Sequence, residues 1–168
     1  VAGGSGAGAQ PTVLLIHGSG VSARSWTNQL RGLGQVLRVL AIDLPGHGDS
    51  EAISEARLEA YADAAHGALD ALGTGPVFAA GHSLGGAVAQ LIAARHPDAV
   101  TGLVLVSTCA RLPESNGFLE SYYRYLPAPI RKLLFFSMTK KILFAPTAPR
   151  EAILLGMEEI RSCRPETI

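Results

Sequence analysis

An α/β fold, a parallel sheet with helices on its faces, is what this sequence predicts, and three observations carry the prediction. Short apolar runs alternate with longer segments of helical period, the order that βαβ units produce. Those runs are continuously apolar rather than alternating with polar residues, as in strands buried on both faces. Charged residues form 17% and hydrophobic residues 48% of the 168 residues. So little charge suits buried parallel strands better than a solvated binding module.

The first strand is Thr12 to Ile16, which runs into His17-Gly18-Ser19-Gly20. A loop region holding Trp26 and a short helix from Ser25 to Leu33 follow. Val36 to Ile42 is the second strand and runs into Asp43-Leu44-Pro45-Gly46-His47-Gly48-Asp49-Ser50. From Arg57 to Leu72 the apolar residues Leu58, Tyr61, Ala65, Leu69 and Leu72 recur at helical spacing, and Gly73 and Gly75 end the helix. Val77 to Ala80 is the third strand. A helix from Ala87 to Arg95 turns Val88, Leu91 and Ile92 inward and closes at Pro97. Leu103 to Val106 is the fourth strand. Beyond Arg111 the strand patterns stop, and Pro113, Pro127, Pro129, Pro146 and Pro149 divide the chain into short helical pieces. Three apolar clusters occupy them: Phe118 to Leu126, Ile130 to Met138, and Ile153 to Ile160. Two domains are therefore expected, residues 1–110 and residues 111–168.

The segment richest in chemistry is Gly81-His82-Ser83-Leu84-Gly85-Gly86, between the third strand and its helix. A serine at the tip of so sharp a turn lies close to neighbouring backbone, so Gly81 and Gly85 must lack a Cβ. The turn raises the Ser83 Oγ above the sheet and aims the Leu84 amide where an oxyanion would form. With the His17–Gly20 and Asp43–Ser50 loops in the same order, this region resembles the α/β-hydrolase superfamily. The similarity is to its compact bacterial esterase, lactonase and C–C hydrolase-like members, and it covers roughly residues 10 to 110.

The resemblance implies a serine hydrolase with Ser83 as nucleophile and the backbone N–H groups of Ser19 and Leu84 as oxyanion hole. His17, Gly18, Trp26 and His82 are the candidate pocket residues. Of these, His17 is expected to order its loop rather than act as a base, and His82 to form packing or pocket wall. Asp43 is expected to fix its own turn through backbone hydrogen bonds. Residues 111–168 resemble the start of the family's helical cap. No cofactor and no metal is implied, and the expected substrate is a small or medium-sized hydrophobic ester or lactone.

In the family the acid and the histidine follow the nucleophile on later strands. After Ser83 this sequence has one histidine, His96, at the far end of the helix that Ser83 opens. None of the later carboxylates follows a recognisable late strand. The expectation is a partial α/β-hydrolase fold with its late strands missing, inactive alone. An alternative of another class is a non-catalytic α/β-hydrolase-like binding protein, and a third is one chain of a split enzyme.

Net charge is zero with no basic stripe, which excludes nucleic acid as an expected partner. No apolar run reaches membrane-spanning length, and no membrane partner is expected. Cys109 and Cys163 lack metal-ligand spacing and are expected as reduced thiols. With no signal peptide visible, the expected location is cytoplasmic. The fourth strand is left without a covering neighbour, and an open apolar edge invites self-association.

Overall fold

A computed structural model describes residues 11–55, 57–110, 127, 130 and 144–162. Four strands, β1 (Thr12–Ile16), β2 (Arg38–Ile42), β3 (Val77–His82) and β4 (Val100–Val106), form one sheet in the order β2-β1-β3-β4. Every pairing is parallel. The helices are α1 (Thr27–Leu33), α2 (Leu58–Ala71), α3 (Leu84–Arg95) and α4 (Arg150–Ser162). By internal contacts the chain divides into two compact units, Val1–Ala110 with Cys163–Ile168 and Arg111–Ser162.

The elements depart from the sequence expectation mainly at their ends. The first helix begins as a 3-10 turn, Ala23–Trp26, whose N-cap Ser22 accepts from the Arg24 N–H. β2 starts at Arg38 because Val36 and Leu37 spend their N–H groups on the Leu33 carbonyl, closing α1 instead of entering the sheet. β3 continues two residues further, to His82, where Gly81 and His82 pair with Leu105 and Val106 of β4. α3 begins directly at Leu84, so no linker separates the turn from its helix. β4 begins three residues early at Val100, with a register shift between Val77 and Phe78 that leaves Thr101 unmatched.

The core lies between the sheet and helices α2 and α3. Leu14, Ile16, Val77 and Ala79 meet Tyr61, Ala62, Ala65 and Leu69 of α2 and Val88, Ala89 and Ile92 of α3, with Leu44 completing the cluster. Each buried Leu, Ile or Val here contributes about 1.5–3 kcal/mol. The alanines let the helices approach closely. Asp63 and Arg95 join the two helices outside the core through a 3.2 Å ion pair. Leu72, expected on the inner face of α2, is instead 55% exposed; it is the C-cap residue, its N–H still bonded to the Ala68 carbonyl, one turn beyond the last buried residue, Leu69.

β4 is the outer strand opposite β2, and Leu103 to Val106 are each exposed by 40% or more. In the second unit, α4 buries Ile160 and leaves Leu154 and Leu155 exposed. Gly156 faces the Phe144 ring there, and any Cβ would collide with it. The Phe118–Leu126 cluster, most of the Ile130–Met138 cluster and Cys163 lie outside the described residues. Cys109 is a free, exposed thiol. No helix among the described residues is long and apolar enough to cross a membrane.

Candidate active site

Ser83 stands alone between the last residue of β3 and the first of α3, with φ 51° and ψ −118°. A side chain in this region costs about 1–3 kcal/mol and persists only where the surroundings over-determine it. Here they do. The Ser83 N–H donates to the Val106 carbonyl at 3.0 Å, continuing the β3–β4 ladder. Its carbonyl accepts from Gly86 N–H at 3.0 Å, from Ala87 N–H at 3.3 Å and from the Thr108 hydroxyl at 2.7 Å.

Glycine is required on both sides of the serine for space, not for backbone conformation. A Cβ at Gly81 would meet the Gly85 carbonyl, and one at Gly85 would meet the carbonyl oxygens of Ile16 and His17. The side chain of Ser83 is exposed. Leu84 is the first residue of α3, so its N–H has no acceptor within the helix.

The loop after β1 crosses beside this turn. Gly18 is buried, and a Cβ there would stand 3.0 Å from His82 Nδ1 and 3.2 Å from Ser83 Cβ. Ser19 follows it and is exposed. His17 is fully buried. Its Nε2 accepts from the Leu44 N–H at 3.0 Å, so the ring proton sits on Nδ1 and is donated to the Gly18 carbonyl at 2.7 Å. The ring thus ties the loop after β1 to the loop after β2 and has no free nitrogen with which to act as a base.

Asp43 makes a second tie between the same loops. Its carboxylate accepts from Ala23 N–H at 2.7 Å and from Asp49 N–H at 3.0 Å. Gly48, at φ 50°, has no room for a Cβ against that carboxylate. His47 is buried beside His17, ring centroids 5.0 Å apart, with Tyr61 edge-on at 6.2 Å. Trp26, half-buried, ends the 3-10 turn that follows the loop.

His82 is half-buried, and desolvation pushes its imidazole below the usual 6.5. Between that lowered value and 6.5 the unfolded chain binds more protons than the folded one. Stability therefore rises with pH in this window and is fully present above it. His82→Gln is expected to remove that part of the pH dependence. Thermal midpoints of the two proteins, followed from about pH 8 down to about pH 5, should show the parent losing stability relative to the variant below 6.5. A difference that stays constant with pH would contradict the assignment.

His96 sits at the opposite end of α3 from Ser83, as its C-cap. Twelve helical residues intervene, about 18 Å at 1.5 Å per residue. Its ring stacks on His66 at 3.7 Å, and His66 contacts Asp70 at 3.4 Å. A groove of about 450 Å³ opens there, lined by His66, Asp70, Thr74, Arg95, His96 and Asp98 among others, far from the serine. All five histidines are thereby placed, and none hydrogen-bonds Ser83 among the described residues. No group of three or more His, Cys, Asp or Glu that could hold a metal occurs among the described residues.

The family described as the alpha/beta hydrolase fold matches residues 11–131. The chain belongs to that family. Among similar proteins, a pimeloyl-(acyl-carrier protein) methyl ester esterase of Neisseria meningitidis serogroup C is 40% identical over 108 residues, 64% of this chain and 41% of the relative. A 2-hydroxy-6-oxononadienedioate/2-hydroxy-6-oxononatrienedioate hydrolase of Pseudomonas sp is 34% identical over 168 residues, 92% of this chain and 58% of the relative. A thermophilic esterase from Thermogutta terrifontis superposes with a TM-score of 0.74 at 31% identity, covering 95% of this chain and 61% of that one. The chain thus spans between two fifths and three fifths of the length of these relatives.

Three features of this α/β-hydrolase elbow escape the sequence reading. Thr108, two residues beyond β4, donates to the Ser83 carbonyl. Gly86 is small because the Thr108 side chain occupies the space a Cβ would need. Gln90 spans from the Gly86 carbonyl at 3.1 Å to the Cys109 carbonyl at 3.3 Å, tying α3 to the loop after β4. The signal available was register: strand ends at one level of a parallel sheet bring residue 83 and residues 107–108 together. The second glycine of the Gly85-Gly86 pair was the other clue.

Proposed function

We propose that this chain carries the nucleophile and the oxyanion hole of a serine hydrolase acting on carboxylic esters or lactones. One observation carries the reading: an exposed serine held at positive φ between a strand end and a helix N-terminus. Ser83 Oγ attacks the substrate carbonyl carbon while a histidine takes its proton. The oxyanion is received by the Leu84 and Ser19 N–H groups, each donor worth about 3 kcal/mol. The intermediate collapses, the alcohol leaves with the proton, and water releases the acid from Ser83.

The named activities of the methyl ester esterase and the thermophilic esterase support the ester class. Seven of the ten aromatic residues fall in the 111–168 segment, which favours a hydrophobic acyl or alcohol group. The base is not brought to Ser83 by the five histidines of this chain. It comes from a histidine-bearing segment, on the same polypeptide or on a second one. The 168 residues alone are therefore expected to hydrolyse esters slower by a factor of about 10³ or more.

A fluorophosphonate, which reacts with activated serines, tests both claims. Tryptic mass spectrometry should find it on Ser83 when the histidine-bearing segment is supplied, and find little or none on the 168-residue chain alone. Label on a different residue, or none in the completed protein, would leave the non-catalytic reading. Equal labelling rates in both forms would overturn the claim about the base.

A further inference from the structure

We propose that Thr108 is a positioning residue that sets the direction and donor strength of the Leu84 N–H in the oxyanion hole. The inference rests on the reading of Ser83 as nucleophile and goes beyond it. The Ser83 carbonyl and the Leu84 N–H are the two ends of one peptide group. That group is planar and trans, so fixing the carbonyl direction fixes the N–H in the opposite direction.

Of the three hydrogen bonds that the Ser83 carbonyl accepts, two come from the following turn of α3, at 3.0 and 3.3 Å. Any helix start supplies bonds of this kind, and they move with the helix. The third and shortest, at 2.7 Å, comes from the Thr108 hydroxyl beyond the end of β4. It alone refers this carbonyl to a different strand, the one whose Val106 carbonyl already holds the Ser83 N–H. The peptide before Ser83 and the peptide after it are thus both referenced to β4, on either side of a strained residue.

Hydrogen bonding to a carbonyl also polarises the amide it belongs to, which strengthens its N–H as a donor. The Leu84 N–H is free of intrahelical partners, so the gain is delivered to whatever sits above Ser83. The local sequence is built around this contact. Gly86 is reduced to hydrogen where the Thr108 side chain packs, and Gln90 braces the adjoining Cys109 carbonyl against α3. The preceding Ser107 takes φ 46°, turning the chain so that residue 108 faces back to the elbow.

The test uses Thr108→Val, which keeps the shape and loses the hydroxyl, and Thr108→Ser, which keeps the hydroxyl. In the histidine-completed protein with a p-nitrophenyl ester, Thr108→Val is expected to lower kcat about tenfold or more while KM stays within about twofold. Inhibition by phenylboronic acid, which forms a tetrahedral adduct on serine, should weaken by the same factor as kcat/KM. Thr108→Ser should restore kcat to within about threefold. In the 168-residue chain, the Leu84 amide proton should move upfield in Thr108→Val and not in Thr108→Ser, a readout that needs no turnover. Thr108→Ala replaces the valine variant should that one fail to fold.

A valine variant with unchanged kcat, a loss carried by KM, or equal losses in the serine and valine variants would each overturn the proposal. Turnover that survives Ser83→Ala would instead refute the nucleophile assignment, leaving the Leu84 amide shift to judge Thr108 independently.

Discussion

Alanine at position 85 is expected to abolish the native fold of the first unit. The added methyl would fall on the carbonyl oxygens of Ile16, the last residue of β1, and of His17, which follows it. That strand is paired on both sides, to β2 and to β3, and its Leu14, Leu15 and Ile16 are buried. It cannot retreat without breaking two ladders, and α3 cannot retreat without opening the Val88, Ala89 and Ile92 core. A clash with backbone that cannot give way belongs to the rare substitutions that cost more than about 4 kcal/mol, a large share of the 5–15 kcal/mol that holds a typical domain.

Gly67→Ala is the matching control. Gly67 lies on the exposed side of α2 with nothing near its Cβ position, and alanine there should stabilise by about 0.5–1 kcal/mol. Urea unfolding followed by circular dichroism separates the two. Native-like stability in Gly85→Ala would mean that α3 does not dock against the end of β1 as described.

These two glycines also show how far the sequence could be read. Gly85 was legible because its requirement is local: the Gly-x-Ser-x-Gly spacing defines a turn whose crowding follows from its shape. The strands were legible for a related reason, since runs such as Val-Leu-Leu-Ile leave no polar side to face water. Helix α2 revealed its inner face by period, with Tyr61, Ala65 and Leu69 buried as spaced.

Contacts that close over long separations were hidden. The His17 ring reaches the Leu44 amide 27 residues away, and the Asp43 carboxylate reaches back 20 residues to Ala23. Nothing at either position announces its partner, because a single polar side chain is compatible with many. Thr108 was missed for the same reason, being 25 residues from Ser83 in the chain and adjacent only through strand register. His96 is the converse case. Its distance from Ser83 followed from helix length alone, whereas its stacking on His66 required the packing of α3 on α2.

Replacing Ser83 by glycine is expected to destroy catalysis and to stabilise the protein. Loss of the nucleophile should cost roughly 10⁴-fold or more in kcat in the histidine-completed protein. The backbone effect has the opposite sign. Serine at φ 51° carries strain of about 1–3 kcal/mol, which glycine removes because it has no Cβ. The greater freedom of glycine in the unfolded chain takes back about 0.4–1 kcal/mol. The hydroxyl itself offsets little, since Ser83 is exposed. Ser83→Ala keeps the strain and loses the chemistry, so it is the reference against which relief is read. Glycine should then exceed alanine by about 1 kcal/mol, or a few degrees in thermal midpoint for a chain of this size. Equal midpoints would mean that residue 83 is not held at positive φ in solution, and the case for an elbow would go with it. A higher midpoint in the glycine variant, together with lost turnover, would show that the strain is stored for the sake of the hydroxyl it presents.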